Sequence, residues 1–154
     1  MTQVKIPFKR LNPDAIIPSY VHGSSEDAGL DLSYCGTGVL KIPAGARALC
    51  ATGIAIQLPP GFEGQVRPRS GLAVRQGLTV LNAPGTIDPS YRGEIKVLLV
   101  NLSSEEQEIR PRDRIAQLVI SVYASVQLEE VQSLDASNRN EEGFGSTGSS
   151  VLTD

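Results

Sequence analysis

The sequence has 154 residues and a net charge of −3, which excludes an overall basic field for long nucleic acid and leaves any anion to a local group of arginines. Fifteen Gly and ten Pro against three Phe and no Trp describe one domain of many turns and short strands. No window approaches the apolar length of a membrane span and no charged-then-apolar segment opens the chain, so the expectation is a cytoplasmic protein with Cys35 and Cys50 as reduced thiols. One histidine, His22, and two distant cysteines make no zinc site of the usual spacings.

In chain order, Val4, Ile6 and Phe8 alternate with polar neighbours, the pattern of a half-buried strand. Pro13 and Pro18 interrupt, and residues 22–27 read as polar loop. Ala28-Gly-Leu-Asp-Leu32 then sets Leu30 and Leu32 on one face and Asp31 on the other. Val39, Leu40 and Ile42 make a further strand, stopped by Pro43-Ala-Gly45. Residues 46–52 and then Ile54, Ile56 and Leu58 continue the pattern until Pro59-Pro-Gly61 turns the chain, and residues 63–67 form a short strand ended by Pro68. Turn signals recur roughly every ten residues and helical periodicity is almost absent, which is the spacing of an all-β sandwich or barrel.

One stretch departs from this rule. In Pro68-Arg-Ser-Gly-Leu-Ala-Val-Arg-Gln-Gly77, Ser70 is placed to be an N-cap, Leu72, Ala73 and Gln76 share a helical face, and Gly77 stands where a C-terminal glycine belongs. Such a helix is either a plug over the end of the sheet or an anion site at its first amides. In the second reading Arg69 and the Ser70 hydroxyl add a charge and a donor, and Gly71 admits a close ligand.

Between Leu78, Val80 and Leu81 and the apolar run 95–100, Asn82-Ala-Pro-Gly-Thr-Ile-Asp-Pro-Ser-Tyr-Arg-Gly-Glu-Ile95 reads as a hairpin with a large tip. Asp88 followed by Pro89 suits a type I turn, with the Asp oxygen free to cap nearby amides. A purely structural turn needs no more than that. This one also holds Asn82, Tyr91 and Arg92, so Asp88 is either a turn former or the acid of a site.

The run 95–100 reads as a strand buried on both faces, and Pro111-Arg-Asp113 as a turn in which Asp113 pairs with Arg114. Arg114-Ile-Ala-Gln-Leu-Val-Ile-Ser-Val122 is a strand with one oddity, Gln117. A buried amide costs a few kcal/mol unless paired, so Gln117 requires backbone, a neighbouring subunit or a ligand as partner. Beyond Val131 apolar residues become rare, which divides the chain into a barrel, 1–131, and a flexible arm, 132–154. Phe144 among glycines is either part of a disordered tail or a stacking group on a closing arm, with Ser146, Thr147 and glycine amides meeting an anion. The segment is not a P-loop, because it lacks the lysine.

Five segments in order carry a family resemblance: Ala28-Gly-Leu-Asp-Leu32, Pro68-Arg-Ser-Gly-Leu-Ala73, Gly85-Thr-Ile-Asp-Pro-Ser-Tyr-Arg-Gly93, Arg114-Ile-Ala-Gln117 and Gly143-Phe-Gly-Ser-Thr-Gly148. Each is weak alone; together, over residues 28–148, the chain resembles the homotrimeric deoxyuridine triphosphate pyrophosphatases (dUTPases). The resemblance implies an all-β, jelly-roll-like distorted barrel with one short helix, and a homotrimer with active sites at subunit interfaces. It implies Mg²⁺-dependent hydrolysis of dUTP to dUMP and pyrophosphate, which limits uracil incorporation into DNA and supplies dUMP for dTMP synthesis. Neither a membrane nor a stable nucleic-acid partner is implied.

Residue roles follow from the same resemblance. Asp88 is implied as the catalytic carboxylate that activates the water attacking the α-phosphorus, and Tyr91 as the floor beneath the deoxyribose. Asn82 and the main chain at Gly85, Thr86 and Ile87 are implied to read uracil. Arg69, Ser70, Gly71 and Gln117 are implied to hold phosphates, with Asp31 acting on the metal through water. Arg139, Phe144, Gly145, Ser146 and Thr147 are implied to close over base and distal phosphates. Family tails commonly read Arg-Gly-x-Gly-Gly-Phe-Gly; Asn140 and Glu142 replace two of those glycines here, which implies weaker closure. The dCTP deaminases share the fold and the phosphate motif, and the Tyr91 hairpin and the tail set this chain apart from them.

Overall fold

Short strands separated by proline- and glycine-marked turns make up the chain, as its alternation demands. The computed structural model describes residues 4–137 and residue 140. Its elements are β1 (Phe8–Arg10), β2 (Leu30–Ser33), β3 (Leu40–Ile42), β4 (Arg47–Ala51), β5 (Ile54–Ile56), β6 (Phe62–Arg67), α1 (Ser70–Gln76), β7 (Leu78–Val80), β8 (Gly85–Ile87), β9 (Lys96–Asn101), β10 (Gln107–Ile109) and β11 (Arg114–Val122). All pairings are antiparallel and form small sheets ordered β2-β11-β6-β8, β4-β9-β7, β1-β5 and β10-β3. They wrap a jelly-roll-like barrel around one core, to which Leu32, Ile42, Ile54, Leu78, Val97, Leu99, Ile109, Ile115 and Leu118 each send a buried side chain. Each such side chain contributes about 1.5–3 kcal/mol of transfer free energy.

Cys50 is buried in this core and Cys35 lies at its margin, both as free thiols. Burial pushes the Cys50 thiol up to about 11. Cys35 is raised by burial first, then by the charges of Asp14 and Glu94. Both therefore stay protonated and unreactive near neutral pH. Among the described residues no helix is long and apolar enough to cross a membrane.

Three local expectations are corrected. The N-cap of α1 is Arg69, in extended backbone and with no side-chain capping bond, so Ser70 is the first helical residue rather than the cap. The Arg69 side chain offers no cap because it is committed to the Asp31 carboxylate and the Arg114 carbonyl. Gly77 does end the helix, at φ 63°, with its N–H donating to the Ala73 carbonyl at 3.1 Å. The half-buried strand expected from Val4, Ile6 and Phe8 begins only at Phe8, and β1 is exposed throughout. β1 is an edge strand paired with β5 alone. The third correction, at Arg114, belongs to the site described below.

The hairpin is present as β7 and β9, with Val80 opposite Leu99 and residues 81–95 as its tip. Within that tip β8 leaves the hairpin and pairs with β6, Gly85 against Val66 and Ile87 against Gly64, so the tip is anchored to a second sheet. Strand β9 is buried on most of its length but opens with exposed Lys96, which reaches Glu94 at 3.7 Å. Strand β11 carries a register shift against β2 between Arg114 and Ala116, which places Ile115 in a bulge. Both Ile115 and Ala116 thus point into the core, and Arg114 and Gln117, three apart, share the outer face.

After β11, among the described residues, the chain has one backbone tie, from the Tyr123 N–H to the Gly61 carbonyl at 3.1 Å. Residues 122–137 are exposed, among them Val126, Leu128, Val131 and Leu134. Asn140 takes a left-handed backbone, at φ 43°, and exchanges hydrogen bonds with Ser137.

Candidate active site

The residues singled out in the sequence gather in two hollows with no lining residue in common. The first, about 330 Å³, is the mouth of the hairpin, where Asn82, Gly85, Thr86, Ile87, Asp88 and Tyr91 line one wall. The type I turn is closed by the Tyr91 N–H donating to the Asp88 carbonyl at 3.1 Å. Arg92 pins it further, its guanidinium donating to the Pro89 and Tyr91 carbonyls at 2.6 and 2.8 Å. Tyr91 donates its hydroxyl to the Glu94 carbonyl at 2.9 Å and lies across Gly93, where an added Cβ would strike the ring. The turn is thus built from backbone, Arg92 and Tyr91. Among the described residues the exposed Asp88 carboxylate accepts no intrachain hydrogen bond, which leaves it open to a ligand.

The second hollow, about 260 Å³, brings together Asp31 of β2, Arg69, Ser70 and Gly71 at the start of α1, and Gln117 of β11. Its charges are already engaged. Arg69 Nε lies 3.0 Å from Asp31 Oδ1, and Arg114 Nη1 lies 2.9 Å from Asp31 Oδ2. Arg69 also donates to the Arg114 carbonyl at 3.0 Å. The Asp31 side chain is only 13% exposed, so these pairs are better shielded from water than ordinary surface ion pairs. The expected pairing of Arg114 with Asp113 is not formed. The Asp113 carboxylate accepts the Arg110 N–H at 2.7 Å, while the bulge turns Arg114 toward Asp31.

Gln117 has the backbone partner that was one of its three options, donating Nε2 to the Pro68 carbonyl at 2.9 Å. Its Oε1 passes so close to Gly29 that a Cβ there would collide with it. At Gly71 an added Cβ would meet only the mobile end of Arg75, 2.8 Å away, so that glycine leaves room beside the hollow.

Sequence reasoning missed several residues. Glu94 ties the hairpin to the barrel, accepting the Gly53 N–H at 2.7 Å, and with Leu49 and Lys96 lines the first hollow. Its signal was faint, a lone acid after a turn glycine. His22 and Asp27 line the second hollow. The backbone N–H of His22, then its ring, bond the Asp27 carboxylate and hold its pKa below the ordinary 3.8. Arg139, Phe144, Gly145, Ser146 and Thr147, together with Glu142, lie outside the described residues.

Among the described residues no group of three or more His, Cys, Asp or Glu side chains can hold a metal. One carboxylate of the hollow, Asp31, is of a type that suits Mg²⁺, which keeps several waters and takes most of its other oxygens from a phosphate chain, but both of its oxygens are paired with arginines here.

Comparison with known proteins bears on the whole chain. The family model described as dUTPase matches residues 15–148. The deoxyuridine 5′-triphosphate nucleotidohydrolase of Clostridium kluyveri is 55% identical over 145 residues, covering 94% of this chain and 99% of its own. That of Syntrophotalea carbinolica is 47% identical over 148 residues, covering 96% and 99%. Among solved structures, a Staphylococcus bacteriophage 80alpha dUTPase mutant with dUpNHpp superposes with a TM-score of 0.84 at 24% identity, covering 95% of this chain and 99% of its own. A phage phi11 dUTPase mutant, described with a structural Mg(II) ion, gives 0.77 at 21% identity over 86% and 100%. The superpositions define a jelly-roll-like fold, and the family and sequence matches define the class as a nucleotide hydrolase. It belongs to the dUTPase family.

Proposed function

We propose that this chain, a dUTP diphosphatase by its family, seats uracil and deoxyribose in the hairpin hollow and phosphates in the arginine-lined one. Asp88 presents the attacking water to the α-phosphorus. The observation that carries this reading is the open Asp88 carboxylate, held at a rigid turn whose own hydrogen bonds it does not serve. Asp88 takes the water's proton as the new P–O bond forms, and the bond from the α-phosphorus to the bridging oxygen breaks. Pyrophosphate leaves with that electron pair. A carboxylate suffices, because phosphoryl transfer asks mainly for positioning and charge neutralisation.

Tyr91 packs beneath the deoxyribose and excludes a 2′-hydroxyl, and Asn82 with the backbone of β8 reads the uracil edge. A cytosine edge mispairs with those groups, which discriminates by about 10⁴-fold in sites built around hydrogen bonds. Arg69, Ser70, Gly71 and Gln117 hold the phosphate chain. Mg²⁺, when bound, neutralises charge on the triphosphate, with Asp31 acting through its waters.

The active enzyme is a homotrimer with sites at subunit interfaces. Strands β8 and β2 lie three steps apart in one sheet, about 14 Å, so the hollows of a single chain are well separated. The exposed apolar residues of 123–137 are suited to cover a neighbouring subunit. The arm 132–154 then closes with Arg139 and Phe144, a step that must offset the entropy of ordering it. The reduced thiols fit a cytoplasmic enzyme that keeps uracil out of DNA and supplies dUMP.

A pyrophosphate-release assay across the deoxynucleoside triphosphates with Mg²⁺ tests the reading. Turnover is expected for dUTP alone, with kcat reduced by about 10²–10⁴-fold in Asp88→Asn and KM little changed. Ammonia release from dCTP, or no turnover of dUTP, would overturn it.

A further inference from the structure

The second hollow contains a side-chain pair, His22 and Asp27, that neither the family resemblance nor the reading above uses. We propose that His22, oriented by Asp27, is a further phosphate-binding residue, presenting Nε2 to a non-bridging oxygen of the distal phosphates. The inference rests on the placing of phosphates in the arginine-lined hollow.

The loop before β2 is folded so that one carboxylate holds His22 twice. Gly23, at φ 110°, makes a turn in which the Glu26 and Asp27 N–H groups both donate to its carbonyl, at 3.1 and 3.0 Å. This returns Asp27 onto His22. Its Oδ2 accepts the His22 backbone N–H at 2.7 Å and its Oδ1 lies 3.1 Å from ring Nδ1. A loop staple needs only the first of these bonds; the second fixes the ring. Because a carboxylate accepts, the proton sits on Nδ1, and Nε2 is the ring's open nitrogen. The ring is 68% exposed whereas the carboxylate that holds it is 25% exposed, so the anchor is sheltered and the ring is offered to solvent.

His22 and Asp27 line the same hollow as Asp31, Arg69, Ser70, Gly71 and Gln117. The charged groups facing it are Asp27, bonded to the ring, and Asp31, bonded to Arg69 and to Arg114 of β11. As imidazolium the ring donates from both nitrogens, to Asp27 and to a phosphate oxygen. As neutral imidazole it offers that oxygen only a lone pair.

The test measures Kd by calorimetry, at one pH, for Mg²⁺ with a non-hydrolysable α,β-imido dUTP and for dUMP. His22→Gln should raise the Kd for the imido nucleotide about tenfold, the worth of one charge-assisted hydrogen bond. Affinity for dUMP should be equal in the two proteins. Asp27→Asn, which keeps the ring but frees it, should weaken the imido nucleotide by a smaller factor. An unchanged Kd for the imido nucleotide in His22→Gln, or equal weakening of dUMP and the imido nucleotide, overturns the proposal. Wild-type protein that does not cleave dUTP would instead overturn the assignment of the hollows themselves.

Discussion

In the hairpin hollow the backbone, Arg92 and Tyr91 satisfy one another, and among the described residues nothing bonds the Asp88 carboxylate. In the arginine-lined hollow the reverse holds, for Asp31 bonds Arg69 and Arg114, and Gln117 bonds the Pro68 carbonyl. The difference follows from charge. A neutral turn can be rigid while its one acid faces water. Two guanidinium groups brought together repel, and need an anion between them before any phosphate arrives. Asp31 fills that place in the free chain, and on this account a triphosphate with its metal competes for the same donors.

Removing that placeholder should produce the largest contrast between the halves. Asp31→Asn keeps the shape but leaves both arginines without a counter-charge. Expected are a KM for Mg-dUTP raised by about 10–100-fold and a stability loss of about 1–3 kcal/mol by urea unfolding. Binding of deoxyuridine, which needs only the hairpin, should be unchanged.

Gly29→Ala should do less, and to both properties at once. Its methyl meets the Gln117 side chain, so stability should fall by about 1–3 kcal/mol and dUTP binding should weaken with it. Gly71→Ala is the smallest change. The methyl meets only the end of Arg75, and alanine favours the helix, so stability should hold within about 1 kcal/mol while KM rises severalfold. A loss of stability in Gly71→Ala without a change in KM would show that this glycine serves packing, not a ligand.

How far the sequence could be read depended on range. The apolar run after the Pro111 turn located β11 at its true ends, and Gly77 announced the helix stop, because each is decided by neighbours in sequence. The partners of Asp31 were not legible, since they depend on which strands pair. The bulge at Ile115 left one trace, the apolar doublet Ile115-Ala116 that breaks alternation, and at that bulge Arg114 pairs with Asp31 rather than Asp113. Three-residue β8 was too short to register as a strand, although its pairing with β6 braces the hairpin. The Asp27 clasp on His22 was hidden in what looked like ordinary polar loop.

A crystal structure of the assembled enzyme with Mg²⁺ and a non-hydrolysable dUTP tests the central claim most directly, through the separation of Asp88 from the α-phosphorus. The account predicts uracil against β8, a water within about 2.6–3.2 Å of the Asp88 carboxylate, and that water about 3–3.5 Å from the phosphorus. A base seated away from the hairpin, or an acid more than one water from the phosphorus, would contradict it.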